Sequence, residues 1–401
     1  MRIQPARCVA PLVLSLIAGL MASSAIAITV DPFYAGNYVA FDLGSVPDLP
    51  PLYGGLTFKY DDPDTLLIGG FANEAAGTLY AIGVVRDASN HVVGFSGTAT
   101  FFAEAAYNDG GVIYGPDNVL FLARWPVNQL GQTKPGSTIT DKIIDLTPFG
   151  VEESHSALNF VPADFPGAGR LKLVTWAGGQ WNDVTILPDG TGTYNVVGVT
   201  EVPASRLSGG PEGFIFVPPN SPLFGIPSML VSEFSAGTVA SYELDPNGDP
   251  IVATRRTFIT DLEGAEGATI DPLTGDFLFS TFGGGNRVIA VQGFVPPPQT
   301  GACCVAGGLC EVRTADECQG LGGTFKGVGT ACANCLCTAC AGDCNCDGSI
   351  SFEDIDALID ALSGAAPCNF GNCDLNCDGL IDALDIDPFV AQLSAGAACA
   401  K

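Results

Sequence analysis

Short apolar segments separated by turns run through residues 28–294 of this chain. Their apolar positions have the spacing of strands, and no helical period continues for more than about two turns. Gly, Pro, Val, Thr and Phe are frequent, and turn sequences such as Pro188-Asp189-Gly190 and Pro246-Asn247-Gly248 separate the segments. This pattern predicts a mainly β fold for the region.

Five of these segments are copies of one unit, at spacings of 56, 46, 56 and 54 residues. The copies are Gly55–Phe58, Gly111–Tyr114, Ala157–Phe160, Gly213–Phe216 and Gly267–Ile270. A second apolar strand follows each copy: Leu66–Phe71, Val119–Trp125, Leu171–Trp176, Met229–Phe234 and Phe277–Phe282. Repeats of this length with three or four strands predict β-propeller blades, five in number, or six if 28–53 holds a degenerate blade. A β-sandwich or a β-solenoid is the alternative.

The last repeat ends at Phe294 without a fourth strand. We predict that Tyr38–Leu43, near the start of the domain, supplies that strand and closes the ring, because closure removes exposed strand edges.

The two ends of the chain differ in composition from this region. Residues 1–27 carry Arg2 and Arg7, an apolar run and a small-residue site at Ala25-Ile26-Ala27, which predicts a secretory signal peptide and a secreted, extracellular protein. A membrane anchor is the alternative, although the run is short for a span, and no span is expected after signal removal. After the β-domain we expect a Pro-rich linker at 295–300, a Cys-rich module at 301–340 and a second module at 341–399.

Cysteine is absent from the β-domain and abundant after it. Of 15 cysteines, 14 lie between Cys303 and Cys399, which predicts a disulfide framework in an exported protein. The run Cys332-x-x-Cys335-x-Cys337-x-x-Cys340 leaves zinc or an iron–sulfur cluster open as an alternative.

Charge and histidine content exclude some functions. The formal net charge is −27, with 16 Lys and Arg against 43 Asp and Glu, so nucleic acid is not an expected partner. Only His91 and His155 are present, which argues against histidine-based metal sites and against most histidine-driven catalysis. His91 follows a turn residue and is expected at the surface.

Candidate chemistry in the β-domain centres on Glu212-Gly213 and Glu266-Gly267, which begin the innermost strands of successive repeats. Gly54, Gly110 and Ser156 occupy the equivalent positions elsewhere. The two carboxylates are weak catalytic candidates that could face one another at a channel, bind a cation or act as acid and base. Alternatively, they cap turns or line a solvated channel. The Glu-Gly pairs resemble the first metal-ligand motif of calcium-dependent gluconolactonase-like propellers, whose later Asn-Gly and Asp motifs are absent here.

A cluster of aromatic and polar residues offers a second candidate, a sugar-binding platform, with packing of its two Trp residues in the core as the alternative. The cluster consists of Trp176, Gln180, Trp181, Asn182 and Asp183.

Two 12-residue segments near the C-terminus, 343–354 and 374–385, have the oxygen pattern of calcium loops, with glycine at position 6. Positions 1, 3, 5, 7, 9 and 12 are Asp343, Asn345, Asp347, Ser349, Ser351 and Asp354 in the first loop, and Asp374, Asn376, Asp378, Leu380, Asp382 and Asp385 in the second. Position 7 would bind through its backbone carbonyl. Apolar residues at helical spacing follow each loop, so the predicted cofactor is Ca²⁺.

Two loop–helix units without a preceding helix resemble the dockerin type I, EF-hand-like modules of bacterial extracellular proteins. The resemblance covers about 343–394 and implies a cohesin-like partner and attachment to polysaccharide-degrading proteins. Two features depart from it: Cys344, Cys346 and Cys377 lie inside the loops, and positions 10 and 11 differ between the loops. The stretch from Gly301 to Cys332 resembles a Cys-rich repeat found beside such modules.

The sequence therefore predicts a secreted calcium-binding protein whose propeller is an interaction surface and whose dockerin-like tail is an anchor. The alternative is an extracellular enzyme of carbohydrate metabolism, a glycosidase, lyase or lactonase-like propeller, acting in polysaccharide degradation. Convergence of Glu212 and Glu266 would favour the enzyme, and separate solvent-exposed positions would favour binding.

Overall fold

The computed structural model describes residues 28–305, 310–326, 342–365, 367–368, 370–375 and 381–395. The predicted signal peptide and the cysteine run 332–340 lie outside these residues, as do Asn376, Asp378 and Leu380. No helix among the described residues is long and apolar enough to cross a membrane.

Residues 29–292 contain 21 strands and form antiparallel sheets. The strands are β1 (Thr29–Val30), β2 (Val39–Gly44), β3 (Leu56–Lys59), β4 (Asp62–Gly70), β5 (Thr78–Arg86), β6 (Val92–Glu104), β7 (Asn108–Tyr114), β8 (Leu120–Arg124), β9 (Gln129–Thr133), β10 (Lys142–Asp145), β11 (His155–Phe160), β12 (Leu171–Thr175), β13 (Trp181–Pro188), β14 (Tyr194–Glu201), β15 (Pro211–Phe216), β16 (Ser228–Glu233), β17 (Thr238–Glu243), β18 (Arg256–Thr260), β19 (Ala265–Ile270), β20 (Phe277–Thr281) and β21 (Val288–Gln292).

These strands build five blades arranged as a propeller-like ring. The first three blades are β3–β6, β7–β10 and β11–β14, the fourth is β15–β18 with β1 added at its edge, and the fifth is β19–β21 with β2. The innermost strands β3, β7, β11, β15 and β19 contact one another in that order, and β19 returns to β3. The ring is therefore closed with five blades, and all five predicted repeats are innermost strands.

The hydrophobic core lies in the seams between blades. Each of five clusters of buried apolar residues joins two neighbouring blades; one brings Leu67 of blade 1 against Leu122 of blade 2. Strands β8, β12, β16 and β20 are buried along their whole length because both faces of each blade are covered. This double burial explains why the second strand of each repeat is an unbroken apolar run rather than an alternating one.

The N-terminal segment closes the ring as predicted. β2 pairs with β21, with Phe41 opposite Ala290, and β1 pairs with β18. Between these strands Tyr38 is 1% exposed and donates a hydrogen bond to the carbonyl oxygen of Pro222 at 2.6 Å. Residues 28–53 therefore complete two other blades and do not form a degenerate sixth.

Ion pairs cross several of the seams, and two of these pairs are largely buried. Lys172 of blade 3 is fully buried and contacts Asp249 of blade 4 at 2.6 Å, and Trp181 Nε1 donates to the same carboxylate at 2.8 Å. At the closing seam, Arg86 of blade 1 binds both carboxylate oxygens of Asp271 of blade 5 at 2.6 and 3.2 Å. Removing one partner of such a pair leaves a buried, uncompensated charge.

The segment that follows the ring contacts the ring over its first residues. The backbone N–H of Val295 donates to Ser221 Oγ at 3.2 Å, and the Gln299 amide donates to the carbonyl oxygen of Pro272. The predicted Pro-rich linker thus lies against the β-domain over part of its length.

The Cys-rich part consists of short elements joined by disulfides. They are β22 (Thr300–Cys304), β23 (Cys310–Thr314), α1 (Ala315–Gly320), β24 (Thr324–Phe325), α2 (Asp354–Leu362), α3 (Phe370–Cys373) and α4 (Ile386–Ala395). Three disulfides join described cysteines: Cys303–Cys318, Cys344–Cys373 and Cys346–Cys368. The predicted disulfide framework is confirmed in this region.

Helices α2 and α4 follow the two predicted loops and share a small core. Leu358 and Phe389 are buried in it, whereas Ile359 and Val390 are each 52% exposed. One apolar face residue of α2, Ile359, and two of α4, Ile386 and Val390, therefore remain at the surface.

Tyr38 and Phe41 provide a matched test of closure. Tyr38→Ala should lower the free energy of unfolding by about 3–5 kcal/mol, as for other buried aromatic truncations, because it opens a cavity in the seam between blades 4 and 5, next to the closing strand β2. Phe41→Ala, which removes a ring that is 43% exposed on the adjacent strand, should change it by about 0.5 kcal/mol or less. Urea unfolding followed by tryptophan fluorescence measures both, since all three Trp residues lie in the ring. Equal losses in the two variants would contradict closure by this segment.

Candidate metal centre

In three innermost strands the pairing with the second strand is irregular near the first residue. At each irregularity an acidic side chain is turned away from its regular position in the sheet. The pairing shifts between Pro211 and Phe214 in β15, between Ala265 and Ala268 in β19, and between Asn108 and Val112 in β7. A β-bulge of this kind redirects the extra residue and bends the strand. The redirected acids are Glu212, Glu266 and Asp109.

The three carboxylates meet although they come from blades 2, 4 and 5. One oxygen of each lies within 4.8 Å of one oxygen of each of the others. Asp109 and Glu266 are 1% exposed and Glu212 is 5% exposed. We call Asp109, Glu212 and Glu266 the acidic triad.

Glycine follows each member of the acidic triad because the innermost strands approach closely there. A Cβ atom on Gly110 would lie 2.8 Å from the backbone nitrogen of Gly213 and 2.9 Å from Glu212 Oε2. A Cβ on Gly213 would lie 2.5 Å from the backbone nitrogen of Ala268. Any other residue at these positions would push the blades apart and separate the carboxylates.

Burial without compensating charge disfavours the ionised form of the triad. Burial raises the pKa of Asp109 to about 7. Burial, followed by the charge of neighbouring triad members, raises the pKa of Glu212 and that of Glu266 well above the usual range for a carboxyl group. None of the three acids forms an ion pair with a described residue.

Several triad oxygens also lack a hydrogen bond. Asp109 Oδ2, Glu212 Oε2 and Glu266 Oε1 are buried and have no partner among the described residues. When its amide nitrogen faces inward, Asn73 donates to Asp109 Oδ1 at 2.9 Å. Buried carboxylate oxygens in this state need protons or a cation, and an oxygen-only ligand set suits a hard divalent cation.

Sequence reasoning found two of the three triad residues. It placed Gly110 at the position equivalent to Glu212, so Asp109 was missed. The bulge in β7 is one residue longer than those in β15 and β19, and it is this extra residue that carries Asp109 inward. The signal was present as an acid–glycine pair, Asp109-Gly110, just before the repeat. The solvated-channel alternative does not fit these glutamates, because Glu212 is 5% exposed and Glu266 is 1% exposed.

The other candidates of the β-domain do not belong to the triad. His155 is fully buried, its Nδ1 lies 3.0 Å from the carbonyl oxygen of Gln129, and burial lowers its pKa to about 4. His91 is only partly exposed, with Nδ1 2.7 Å from Asp276 Oδ2 across the closing seam. The sugar platform is not formed, because Trp181 is 0% exposed and Gln180 and Asn182 are also buried.

In the first predicted calcium loop, the acidic residues at both ends accept hydrogen bonds from backbone N–H groups within the loop. Asp343 accepts hydrogen bonds from the backbone N–H groups of Asp347 at 3.0 Å and Gly348 at 2.9 Å. Asp354 is fully buried and accepts from the N–H groups of Asn345 at 3.1 Å and Ser351 at 2.8 Å. These hydrogen bonds fold the loop backbone around the two acidic side chains.

The second loop repeats part of this arrangement. Asp385, at position 12, accepts from the N–H groups of Leu375 at 2.7 Å and Asp382 at 2.9 Å. Asn376, Asp378 and Leu380 of this loop lie outside the described residues. Among the described residues, only the acidic triad forms a three-acid group within reach of one ion, so calcium binding by the loops stays a prediction.

Two disulfides account for two of the three cysteines that depart from the dockerin pattern, and the third, Cys377, lies outside the described residues. Cys344 and Cys346, inside the first loop, are bonded to Cys373 and Cys368, which precede the second loop. The first loop is therefore tied covalently to the start of the second, in addition to the contacts between α2 and α4.

Comparisons with known proteins do not identify a family. No known protein-family description and no curated protein matches the sequence. Among solved structures, a putative glucose dehydrogenase from Thermus thermophilus is 13% identical, with a TM-score of 0.36, and covers 63% of this chain and 99% of that one. A gluconolactonase from Xanthomonas campestris is 12% identical, with a TM-score of 0.36, and covers 72% and 91%. An auxiliary nutrient binding protein from Bacteroides thetaiotaomicron is 12% identical, with a TM-score of 0.38, and covers 67% and 68%. Similarity at this level does not assign an activity to the chain.

The raised pKa of the triad predicts how stability depends on pH without metal. A carboxyl whose folded pKa is raised stabilises the fold below its unfolded pKa of about 4, and this stabilisation is lost as pH rises through the folded pKa. For Asp109, with a folded pKa of about 7, the loss is on the order of 4 kcal/mol. In a chelating buffer the ring should therefore unfold at a lower urea concentration at pH 8 than at pH 5.

The variant Glu266→Gln tests whether the triad, and not another titrating group, causes this pH dependence. This variant removes one buried charge, so its loss of stability between pH 5 and pH 8 should be smaller than that of the unmodified protein. Glu153→Gln, at an exposed position, serves as the control and should leave the pH dependence unchanged. A pH profile of Glu266→Gln that matches the unmodified protein would show that the triad does not titrate as described.

Proposed function

We propose that this chain is an exported, cation-dependent binding protein in which the acidic triad holds one divalent metal ion at the centre of the ring. The observation that carries the proposal is the convergence of three nearly inaccessible carboxylates from three blades, each with an oxygen that has no described hydrogen-bond partner. Three such groups repel one another when ionised, and a shared cation removes both the repulsion and the unmet coordination.

Calcium is the ion that we propose for the triad. All three ligands are carboxylates, and hard cations such as Ca²⁺, Mg²⁺ and Mn²⁺ prefer oxygen. Mg²⁺ requires near-ideal octahedral geometry, whereas Ca²⁺ accepts irregular sets of six to eight oxygens. The ligands here come from two strands with one-residue bulges and one strand with a longer bulge, an uneven arrangement that suits calcium better.

Accessibility supports a structural rather than catalytic role for this ion. Asp109, Glu212 and Glu266 are 1%, 5% and 1% exposed, so almost none of the triad contacts solvent. A sugar or lactone needs direct access to the reacting carboxylate or metal, but a bare ion does not. The ion would therefore tie blades 2, 4 and 5 together, and the outer surfaces of the ring would make the contacts with partners.

The carbohydrate-enzyme alternative has one observation in its favour. Glu212 and Glu266 do converge, and raised pKa values on adjacent carboxylates are typical of acid–base sites. Catalysis would require the ring to open near the triad and admit a substrate. Turnover of a gluconolactone or an aryl glycoside that is lost in Glu212→Gln would favour this alternative over a structural ion.

For the C-terminal region we propose that both loops bind Ca²⁺ and present the module to a cohesin-like or other extracellular protein. The support is the repeated loop pattern, the buried position-12 acids Asp354 and Asp385, and the exposed residues Ile359 and Val390 on the two helices. Partly exposed apolar residues on paired helices are suited to contact with a second protein.

Counting bound ions tests the two sets of sites separately in the full chain. We expect three Ca²⁺ ions per molecule by equilibrium dialysis. The double variant Glu212→Gln with Glu266→Gln should bind two, because it leaves the triad only one carboxylate. The matched variant Asp354→Asn with Asp385→Asn should bind one, because each loop loses its position-12 ligand.

Tryptophan fluorescence shows whether added Ca²⁺ stabilises the ring itself, since all three Trp residues lie in the ring. Added Ca²⁺ should raise the unfolding midpoint in the unmodified protein and in the loop variant, but not in the triad variant. Unchanged ion stoichiometry in the triad variant, or a calcium response that survives in it, would contradict the proposed centre.

A further inference from the structure

A cleft between blades 1 and 2 lies far from the acidic triad. Its volume is ≈ 350 Å³, within the range of sites that hold small ligands. Tyr114 lines it at the end of β7, whereas Asp109 lies near the start of the same strand. The whole of β7 from Asn108 to Tyr114 covers only the stretch from Arg124 to Leu120 on β8, which at about 3.4 Å per residue places the two positions roughly 10–14 Å apart. The cleft is therefore a separate site from the triad.

Aromatic rings form one wall of this cleft without being covered by other side chains. Tyr60, in the turn between β3 and β4, is 45% exposed, and Phe101, on β6, is 57% exposed. The Tyr60 ring meets Tyr114 edge-on, with centroids 5.2 Å apart, which holds its orientation. Exposed rings fixed in this way present flat apolar faces to solvent.

Charged groups line the same cleft beside these rings. Lys59 and Asp61 form an ion pair in the turn that carries Tyr60. Lys134, which follows β9, forms no ion pair with a described residue. The cleft thus has two ammonium groups and one carboxylate in a protein whose formal net charge is −27. Donors and acceptors beside apolar faces allow recognition of a ligand that has both hydroxyl groups and an apolar face.

We propose that this cleft is a saccharide-binding site. A pyranose ring stacks its C–H face on Tyr60 and Phe101, and its hydroxyl groups exchange hydrogen bonds with the Lys59–Asp61 pair. Lys134 supplies a positive charge for sugars that carry a carboxylate. A purely apolar ligand would cover the Lys59–Asp61 pair and Lys134 without offering them hydrogen-bond partners.

Affinity electrophoresis and calorimetry of the full chain test the site with three soluble probes: hydroxyethyl cellulose, xylan and polygalacturonate. At least one probe should bind, and Tyr60→Ala and Phe101→Ala should each weaken that binding about tenfold or more. Phe33→Ala removes a ring of similar exposure, 47%, elsewhere on the surface and should leave binding unchanged. Lys134→Ala should weaken polygalacturonate alone.

The variants must remain folded for the comparison, so their urea unfolding midpoints should match the unmodified protein. The triad variant Glu212→Gln with Glu266→Gln should keep its saccharide affinity wherever it remains folded, since the two sites are distant. Failure of all three probes to bind would overturn the proposal. So would binding that is unaffected by Tyr60→Ala and Phe101→Ala, or weakened equally by Phe33→Ala.

Discussion

Packing of each blade on both of its faces is the constraint on which the rest of the ring depends. The middle strands are buried along their whole length, so an unpaired end blade would expose a large apolar face and a free strand edge. The pairing of β2 with β21 removes that edge, and Tyr38 fills the space beside it. Ring closure is thus a requirement of the apolar composition and not an addition to an already stable sheet.

Closure of the ring also brings three buried carboxylates close together at its centre. Five innermost strands that converge leave no space for side chains at the closest points, which is why Gly110 and Gly213 are found there. The bulges that relieve this crowding turn Asp109, Glu212 and Glu266 toward one another. The triad is therefore a consequence of the same crowding that selects glycine, and the carboxylates remain only because a proton or an ion can satisfy them.

The sequence predicted the repeats, their number and the closing strand, since all of these depend on apolar spacing along the chain. It offered the meeting of Glu212 and Glu266 as one of two alternatives, because both precede glycine at the start of an innermost strand. Asp109 could not be found by alignment of the repeats, since a bulge inserts a residue and shifts the position. Trp181 was a candidate for sugar contact on residue type alone, but its burial depends on Asp249 from the next blade, a contact 68 residues away in the chain. Pockets such as the cleft between blades 1 and 2 combine residues from several strands, and no local pattern identifies them.

The two halves of the chain use different means to become stable. The ring has no cysteine and relies on its five apolar seams, which a domain of this length can bury without covalent links. The C-terminal region has a small core around Leu358 and Phe389, and it adds disulfides that tie one loop to the next. In the ring, however, the buried acids of the triad are held where their charge opposes folding, whereas the buried Asp354 and Asp385 of the loops accept backbone hydrogen bonds. Under the proposed cation binding, an oxidising and calcium-rich environment would stabilise both halves at once, through the disulfides and through the metal ions.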